Sequence, residues 1–179
     1  MKIKFLIFTS FLYFGCSKVQ PRRPINPIPS STILKETIKK SIRLNALDDE
    51  KILAVIQQDS TKTYQVSPNG FWYTYLHKNE AATATPKTGD VVSFQYNITD
   101  LQGVVIYNKD QTGIKTYQVD KEDFIAALQV GIKLMKIGET ITFVIPSYNA
   151  FGILGDGKKI GIHQSIKSTV TLININNKK

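Results

Sequence analysis

The side chains that most often carry chemistry are few in this 179-residue chain and lie far apart in the sequence. His77 and His163 have no cysteine or carboxylate at metal-ligand spacing, so we predict no metal site. The acidic run at 48–50 fits the start of a helix better than an acid–base pair. The segment IPSYNAFG, residues 145–152, contains two aromatic rings, a proline and a glycine, but no acid, base or thiol. Any chemistry there has to come from an apolar surface.

Cys16 is the one cysteine, so no disulfide can form within the chain. Two lysines and an apolar run at 5–14 precede it, and a polar stretch follows, which is typical of a secretory signal. The segment at 12–16 resembles the lipobox of bacterial lipoproteins, although Tyr13 stands where a leucine is usual. We therefore predict a lipoprotein signal peptide at 1–15 and a lipid on Cys16. The alternatives are an ordinary cleaved signal or a short membrane anchor.

The formal net charge of +9 is concentrated near the start of the chain. Residues 1–45 carry +8, whereas the rest of the chain carries only +1. A nucleic-acid-binding protein would need a basic groove on its folded part, so we expect no nucleic-acid partner. The basic stretch favours a spacer close to anionic lipid. We expect a membrane-anchored lipoprotein of the bacterial cell envelope that faces the periplasm and contacts the membrane through acylated Cys16.

Two segments separate this start from the remaining chain. Residues 16–31 comprise the lipidated cysteine and a tether that contains four of the seven prolines, so no helix or sheet should form there. Residues 32–60 have helical periodicity and are predicted to form an appendage of two helices. The second helix is predicted to begin at an Asp48 cap, with Leu47 and Ile52 forming a hydrophobic staple. The appendage packs either on the domain or on a partner.

From residue 62 to the last residue, 179, the periodicity changes to that of strands. Alternating or β-branched runs such as GDVVSFQYNITD, ETITFVIP and STVTLININ are separated by turn residues, and FIAALQVGIKLM is the one helical pattern among them. Strands around one short helix predict an α+β domain with an antiparallel sheet.

The order of these segments resembles the FKBP-type peptidyl-prolyl isomerases. The family pattern G-D-x-V-x-x-x-Y matches residues 89–96, M-x-x-G-E matches 135–139, and I-P-x-x-x-A-Y-G matches 145–152 apart from Phe151. The resemblance covers about 64–176 and is strongest to the gliding-motility-associated isomerase lipoproteins. It implies a twisted antiparallel sheet wrapped around one short helix.

The resemblance also implies a function: cis–trans isomerisation of X-Pro bonds, without a cofactor, during the folding of exported envelope proteins, with a link to gliding motility. The partners would be proline-containing peptides or unfolded exported proteins. The alternative is a chaperone or a proline-segment binding module of an envelope assembly that lacks catalysis. The sequence leaves the oligomeric state open.

The resemblance assigns the site by position. Its members are Tyr96, Ile106, Tyr107, Phe124, Ile125, Leu128 and Phe151. Ile125 would also give its backbone N–H to the substrate. Tyr107 replaces the family carboxylate and Phe151 replaces a tyrosine, so weak or absent activity is expected. The wall beside Ile106 and Leu128 offers nothing to a charge, which favours an apolar residue before proline. Without the resemblance, the same positions would be interpreted as ordinary core.

Overall fold

A computed structural model describes residues 30–176 of the chain. The predicted signal peptide, Cys16 and nearly all of the tether lie outside the described residues. The chain divides into two compact units, Met1–Ile38 and Lys39–Lys179. The described part of the first unit is helical. No helix within residues 30–176 is long and apolar enough to cross a membrane.

The described residues form three α-helices, one 3-10 helix and eight strands. In chain order they are α1 (Ser30–Gln58), β1 (Gln65–Ser67), β2 (Phe71–His77), β3 (Val91–Tyr96), β4 (Ile98–Thr99), β5 (Val105–Tyr107), α2 (Lys109–Thr112), β6 (Ile114–Gln118), α3 (Ala126–Ile132), β7 (Thr140–Ile145), the 3-10 helix (Ser147–Asn149) and β8 (Ile166–Asn176).

The strands form one antiparallel sheet in the order β1-β2-β7-β8-β3-β6, and β4 pairs with both β5 and β8. This arrangement confirms the predicted α+β class. Burial alternates along strand β3, as the sequence pattern predicts. Val92 and Phe94 are fully buried on one face, whereas Val91 and Ser93 are only half-buried. The sheet therefore places every second residue of β3 toward the core.

Helix α3 packs against the core face of the sheet at Gly131. A Cβ built on Gly131 would lie 2.5 Å from Cε1 of Phe143 on β7, which is too close for any side chain. Leu128 and Ile132 on the same helix are fully buried. The glycine permits this close approach, and the approach fixes where the segment before α3 meets the sheet.

The prediction of two separate N-terminal helices is wrong, because α1 is continuous from Ser30 to Gln58. The segment 43–47, RLNAL, contains neither glycine nor proline and is rich in helix-favouring residues, so nothing interrupts the helix. Asp48 consequently lies inside the helix instead of capping a second one. Within the second unit, fully buried Ile52 of α1 packs with Trp72 and Val144, so this part of the helix packs on the sheet.

Candidate active site

An aromatic cluster lies where β3 ends and α3 begins. The rings of Tyr96 and Phe124 meet edge to face, with centroids 5.5 Å apart at 85°. Phe94 and Tyr117 also lie beside Phe124, at 5.6 Å and 6.0 Å. Residues 94 and 96 share a face because side chains alternate along the strand. Burial raises the pKa of the Tyr96 phenol above its ordinary value of 10.0.

Beside this cluster a cleft of about 340 Å³ opens between β3, β5, α2 and the loop that precedes β8. Its lining residues are Tyr96, Ile98, Tyr107, Gln111, Thr112, Phe151, Asp156 and Lys158. Tyr96, Tyr107 and Phe151 were predicted as site residues, and the structure brings all three together here. Thr112 donates its hydroxyl to the carbonyl of Tyr96 at 2.5 Å, which holds α2 against β3 at the cleft edge.

The other four predicted residues lie next to this cleft without lining it. Ile106 and Phe124 are half-buried, and Ile125 and Leu128 are buried, all packed in the same hydrophobic cluster. That these four residues contact a bound peptide therefore stays a prediction.

Ile125 has the geometry expected of a backbone donor. It stands just before α3 and its carbonyl accepts the N–H groups of Leu128 and Gln129. Among residues 30–176, its own N–H has no hydrogen-bond acceptor. Gln129 Nε2 also donates to the carbonyl of Phe124 at 2.8 Å. This carbonyl belongs to the same peptide group as the Ile125 N–H, so the hydrogen bond fixes the direction of that N–H. The Ile125 N–H is thus held rigidly next to Phe124 of the aromatic cluster, where it can donate a hydrogen bond to a substrate carbonyl.

Asp156 is a functional candidate that the sequence reasoning missed. The hydroxyl of Tyr107 donates to Asp156 Oδ2 at 2.5 Å, and the backbone N–H groups of Lys158 and Ile160 donate to Oδ1 at 2.8 Å each. Partial burial raises the pKa of the Asp156 carboxyl, but these hydrogen bonds outweigh burial and the net pKa is lowered. The hydrogen bond to Asp156 raises the pKa of the Tyr107 phenol. A carboxylate is thus present in the cleft, brought by a different loop from the one that carries it in the family pattern.

The segment before Phe151 is tied to α1. The carboxylate of Asp48 accepts from the backbone N–H of Ser147 at 3.2 Å and from the Ser147 hydroxyl. Next to it, the Tyr148 hydroxyl donates to Asp49 Oδ1 at 2.9 Å. These contacts lie at the start of the 3-10 helix that leads to the cleft.

The turn between β1 and β2 holds the other end of this helix. Asn149 Nδ2 donates to the carbonyls of Asn69 and Gly70 at 2.8 Å each. The backbone N–H of Gly152 donates to the carbonyl of Ser147 at 2.8 Å. The loop carrying Phe151 is fixed on both sides.

Lysine side chains cover the rim of the site. Lys115 Nζ lies 5.0 Å from the ring centroid of Phe124, and Lys159 Nζ lies 4.9 Å from that of Tyr107. Lys159 also donates to the carbonyl of Ile106 at 3.2 Å. The expectation of a wall without charge beside Ile106 is therefore wrong, because residues distant in sequence supply the ammonium group. Among residues 30–176, no three His, Cys, Asp or Glu side chains converge as a metal site.

Comparisons with known proteins agree with this architecture. The family model of the FKBP-type peptidyl-prolyl cis-trans isomerases matches residues 82–173, just over half of the chain. The chain is 28% identical over 144 residues to peptidyl-prolyl cis-trans isomerase FKBP9 of Bos taurus and of Homo sapiens. The match covers 75% of this chain but spans only a quarter of the length of those relatives.

Two solved structures are similar in fold. FkpA from Escherichia coli superimposes with a TM-score of 0.61 at 22% identity, covering 82% of this chain and 65% of FkpA. A peptidyl-prolyl cis-trans isomerase from Pseudomonas syringae gives a TM-score of 0.59 at 17% identity, covering 85% of this chain and 99% of that one. The family match includes the aromatic cluster, the Ile125 turn and the loop that carries Phe151. This chain therefore belongs to the FKBP-type peptidyl-prolyl cis-trans isomerase family.

Proposed function

We propose that this chain accelerates the cis–trans isomerisation of X-Pro bonds in client polypeptides bound at the aromatic cleft. The observation that carries the proposal is the arrangement of Tyr96 and Phe124 around a fixed Ile125 N–H, with Tyr107 and Phe151 across the cleft. The family membership supports the same reaction.

The reaction requires no nucleophile and no proton transfer. Amide resonance sets a barrier of ~18–20 kcal/mol to rotation about the bond before proline. Rotation weakens that resonance, so a binding site speeds the reaction if it binds the twisted amide better than the planar one. Aromatic walls exclude water from the polar planar amide, and the Ile125 N–H orients the carbonyl that precedes proline.

Tyr107 acts in this proposal through Asp156. Its hydroxyl already donates to that carboxylate, so it is not free to donate to the substrate. The pair instead joins the end of β5 to the loop after Phe151. We assign it the role of keeping the Tyr107 and Phe151 walls at a fixed separation.

The proposed cellular setting rests on residues 1–31, of which 1–29 lie outside the described residues. The apolar run, Cys16 and the proline-rich tether support a lipid anchor that places the domain beside an envelope membrane. The clients would then be exported proteins. The sequence resemblance to gliding-motility-associated lipoproteins is the sole support for a link to gliding.

A second candidate function is the binding of unfolded chains without useful catalysis. It is favoured by Ile153 and Leu154, which follow Phe151 and are 71% and 82% exposed. Exposed apolar side chains beside a peptide cleft can retain an unfolded segment.

One pair of assays separates the two functions. The full chain, shown to be folded by its denaturation curve, is tested for acceleration in a protease-coupled assay with a Leu-Pro tetrapeptide. The same sample is tested for suppression of the aggregation of a denatured protein that contains no proline. The proposal expects acceleration of the peptide. Aggregation suppression without any acceleration would replace the isomerase proposal with the chaperone function.

A further inference from the structure

We infer, as an extension of the proposed function, that the rim of the cleft selects client segments with an acidic side chain next to the proline. The inference concerns the residue that flanks proline and leaves the isomerisation chemistry unchanged. It rests on three lysines, Lys115, Lys158 and Lys159, which approach the cleft from two different elements.

Two of the ammonium groups lie directly over rings of the site. Lys115, on β6, covers Phe124 from 5.0 Å, and Lys159, on the loop before β8, covers Tyr107 from 4.9 Å. Lys159 is exposed and Lys115 is half-buried, and a cation–π contact leaves the positive charge of each in place to attract an anion. The two lysines thus place positive charge beside the aromatic cluster and over Tyr107, which lines the cleft.

The third lysine stands in the lining itself. Lys158 is exposed and contributes to the cleft surface next to Asp156. The Asp156 carboxylate accepts the Tyr107 hydroxyl and two backbone N–H groups, so its oxygens are already engaged. The site therefore has three cationic groups and one carboxylate, and both oxygens of that carboxylate accept hydrogen bonds from the protein.

None of the three ammonium groups forms an ion pair with another described residue. Within residues 30–176 the ion pairs are Lys62 with Asp59 and Lys133 with Asp120, and neither involves the rim. The exposed acidic residues nearest in sequence to Lys115 form no ion pair with these ammonium groups: they are Asp110, Asp120, Glu122 and Asp123. An arriving carboxylate would meet unpaired positive charge.

The expected preference is modest, because exposed ion pairs are only weakly favourable in water. Acting together, the rim lysines should favour Glu-Pro over the isosteric Gln-Pro by about three- to tenfold in kcat/KM at low salt. Exposed pairs are screened by salt, so the ratio should fall toward one at about 0.5 M salt. An uncharged contact would give no such salt dependence.

The test compares tetrapeptides that differ only at the residue before proline: Glu, Gln, Leu and Lys. Isomerisation by the full chain is followed at low and high salt, and the affinities of the same peptides are measured by fluorescence anisotropy. The variant is Lys115→Gln, Lys158→Gln and Lys159→Gln combined. Its matched control is Lys78→Gln, since Lys78 Nζ also covers a ring, that of Tyr75 at 4.7 Å, but does not line this cleft.

The inference expects a Glu-to-Gln ratio above three that falls with salt and in the triple variant, but is unchanged in the Lys78 variant. A ratio of one or less in both rate and affinity overturns it. Leu-Pro acceleration with no preference for Glu-Pro would overturn this inference while the proposed function stands. Binding of anionic phospholipid vesicles that the triple variant loses, without any peptide preference, would assign the lysines to a membrane surface and also overturn it.

Discussion

The carboxylate of Asp48 on α1 accepts two hydrogen bonds from Ser147, one from the backbone N–H and one from the hydroxyl. Both residues are buried, with 4% and 2% of their surface exposed. Ser147 opens the 3-10 helix that leads to Phe151, so a residue 99 positions earlier in the chain fixes the start of a loop of the cleft. The N-terminal helix thereby takes part in positioning the site.

Asp48→Ala is therefore expected to destabilise the protein by about 1–3 kcal/mol, because it leaves two buried donors of Ser147 without an acceptor. The measurement is the free energy of unfolding in urea. Glu50→Ala is the control, since Glu50 is exposed on the same helix turn and its loss should cost less than about 0.5 kcal/mol. Equal losses from the two substitutions would mean that the Asp48–Ser147 contact does not stabilise the fold.

The Tyr107–Asp156 pair leads to a second prediction that differs from what the family pattern alone suggests. Restoring the family carboxylate by Tyr107→Asp would place a second negative charge beside Asp156. Like charges repel, so kcat/KM for a Leu-Pro peptide should fall instead of rising. Adding Asp156→Asn to Tyr107→Asp should recover part of the loss. A rise in kcat/KM with Tyr107→Asp alone would show that the pair does not hold the cleft.

A third prediction concerns alkaline pH. Burial and the hydrogen bond to Asp49 raise the pKa of Tyr148 from 10.0 to about 12. A group whose pKa is raised in the folded state contributes stability in full below its unfolded pKa and loses it as pH rises. The Tyr148 contribution should thus be complete below pH 10 and disappear between about pH 10 and 12. Because other tyrosines also titrate, the measured quantity is the difference in unfolding free energy between the wild type and Tyr148→Phe. A pH-independent difference would contradict the assignment.

Local patterns made much of the fold predictable from the sequence. Alternation along β3 marked which residues are buried, and the spacing of Met135, Gly138 and Glu139 supported the family. The helical pattern predicted for FIAALQVGIKLM contains α3, which the structure bounds at Ala126–Ile132. These features depend on neighbours within a few residues, which a single sequence displays.

The long-range contacts of the site were not predictable in this way. Asp156 lies 49 residues from Tyr107 and Asp48 lies 99 from Ser147, and no local pattern records either pairing. Asp48 was predicted to be a helix cap, because its sequence neighbours do not distinguish an N-cap from an aspartate inside a helix that binds a distant residue. Tertiary contact with Ser147 decided between them. The hydrogen bond from Lys159 to the Ile106 carbonyl was not predictable either, because it depends on the path of a loop that the sequence does not specify.

In the proposed function, aromatic walls, and no acid or nucleophile, provide the catalysis. The most direct test is kcat/KM of the full chain for a Leu-Pro tetrapeptide, compared among the wild type, Phe124→Ala, Phe151→Ala and the milder Phe151→Leu, with folding checked by urea denaturation. We expect acceleration by the wild type, a loss of at least about tenfold in kcat/KM in the folded alanine variants, and a smaller loss with leucine. Unchanged kcat/KM in folded Phe124→Ala and Phe151→Ala variants would contradict it.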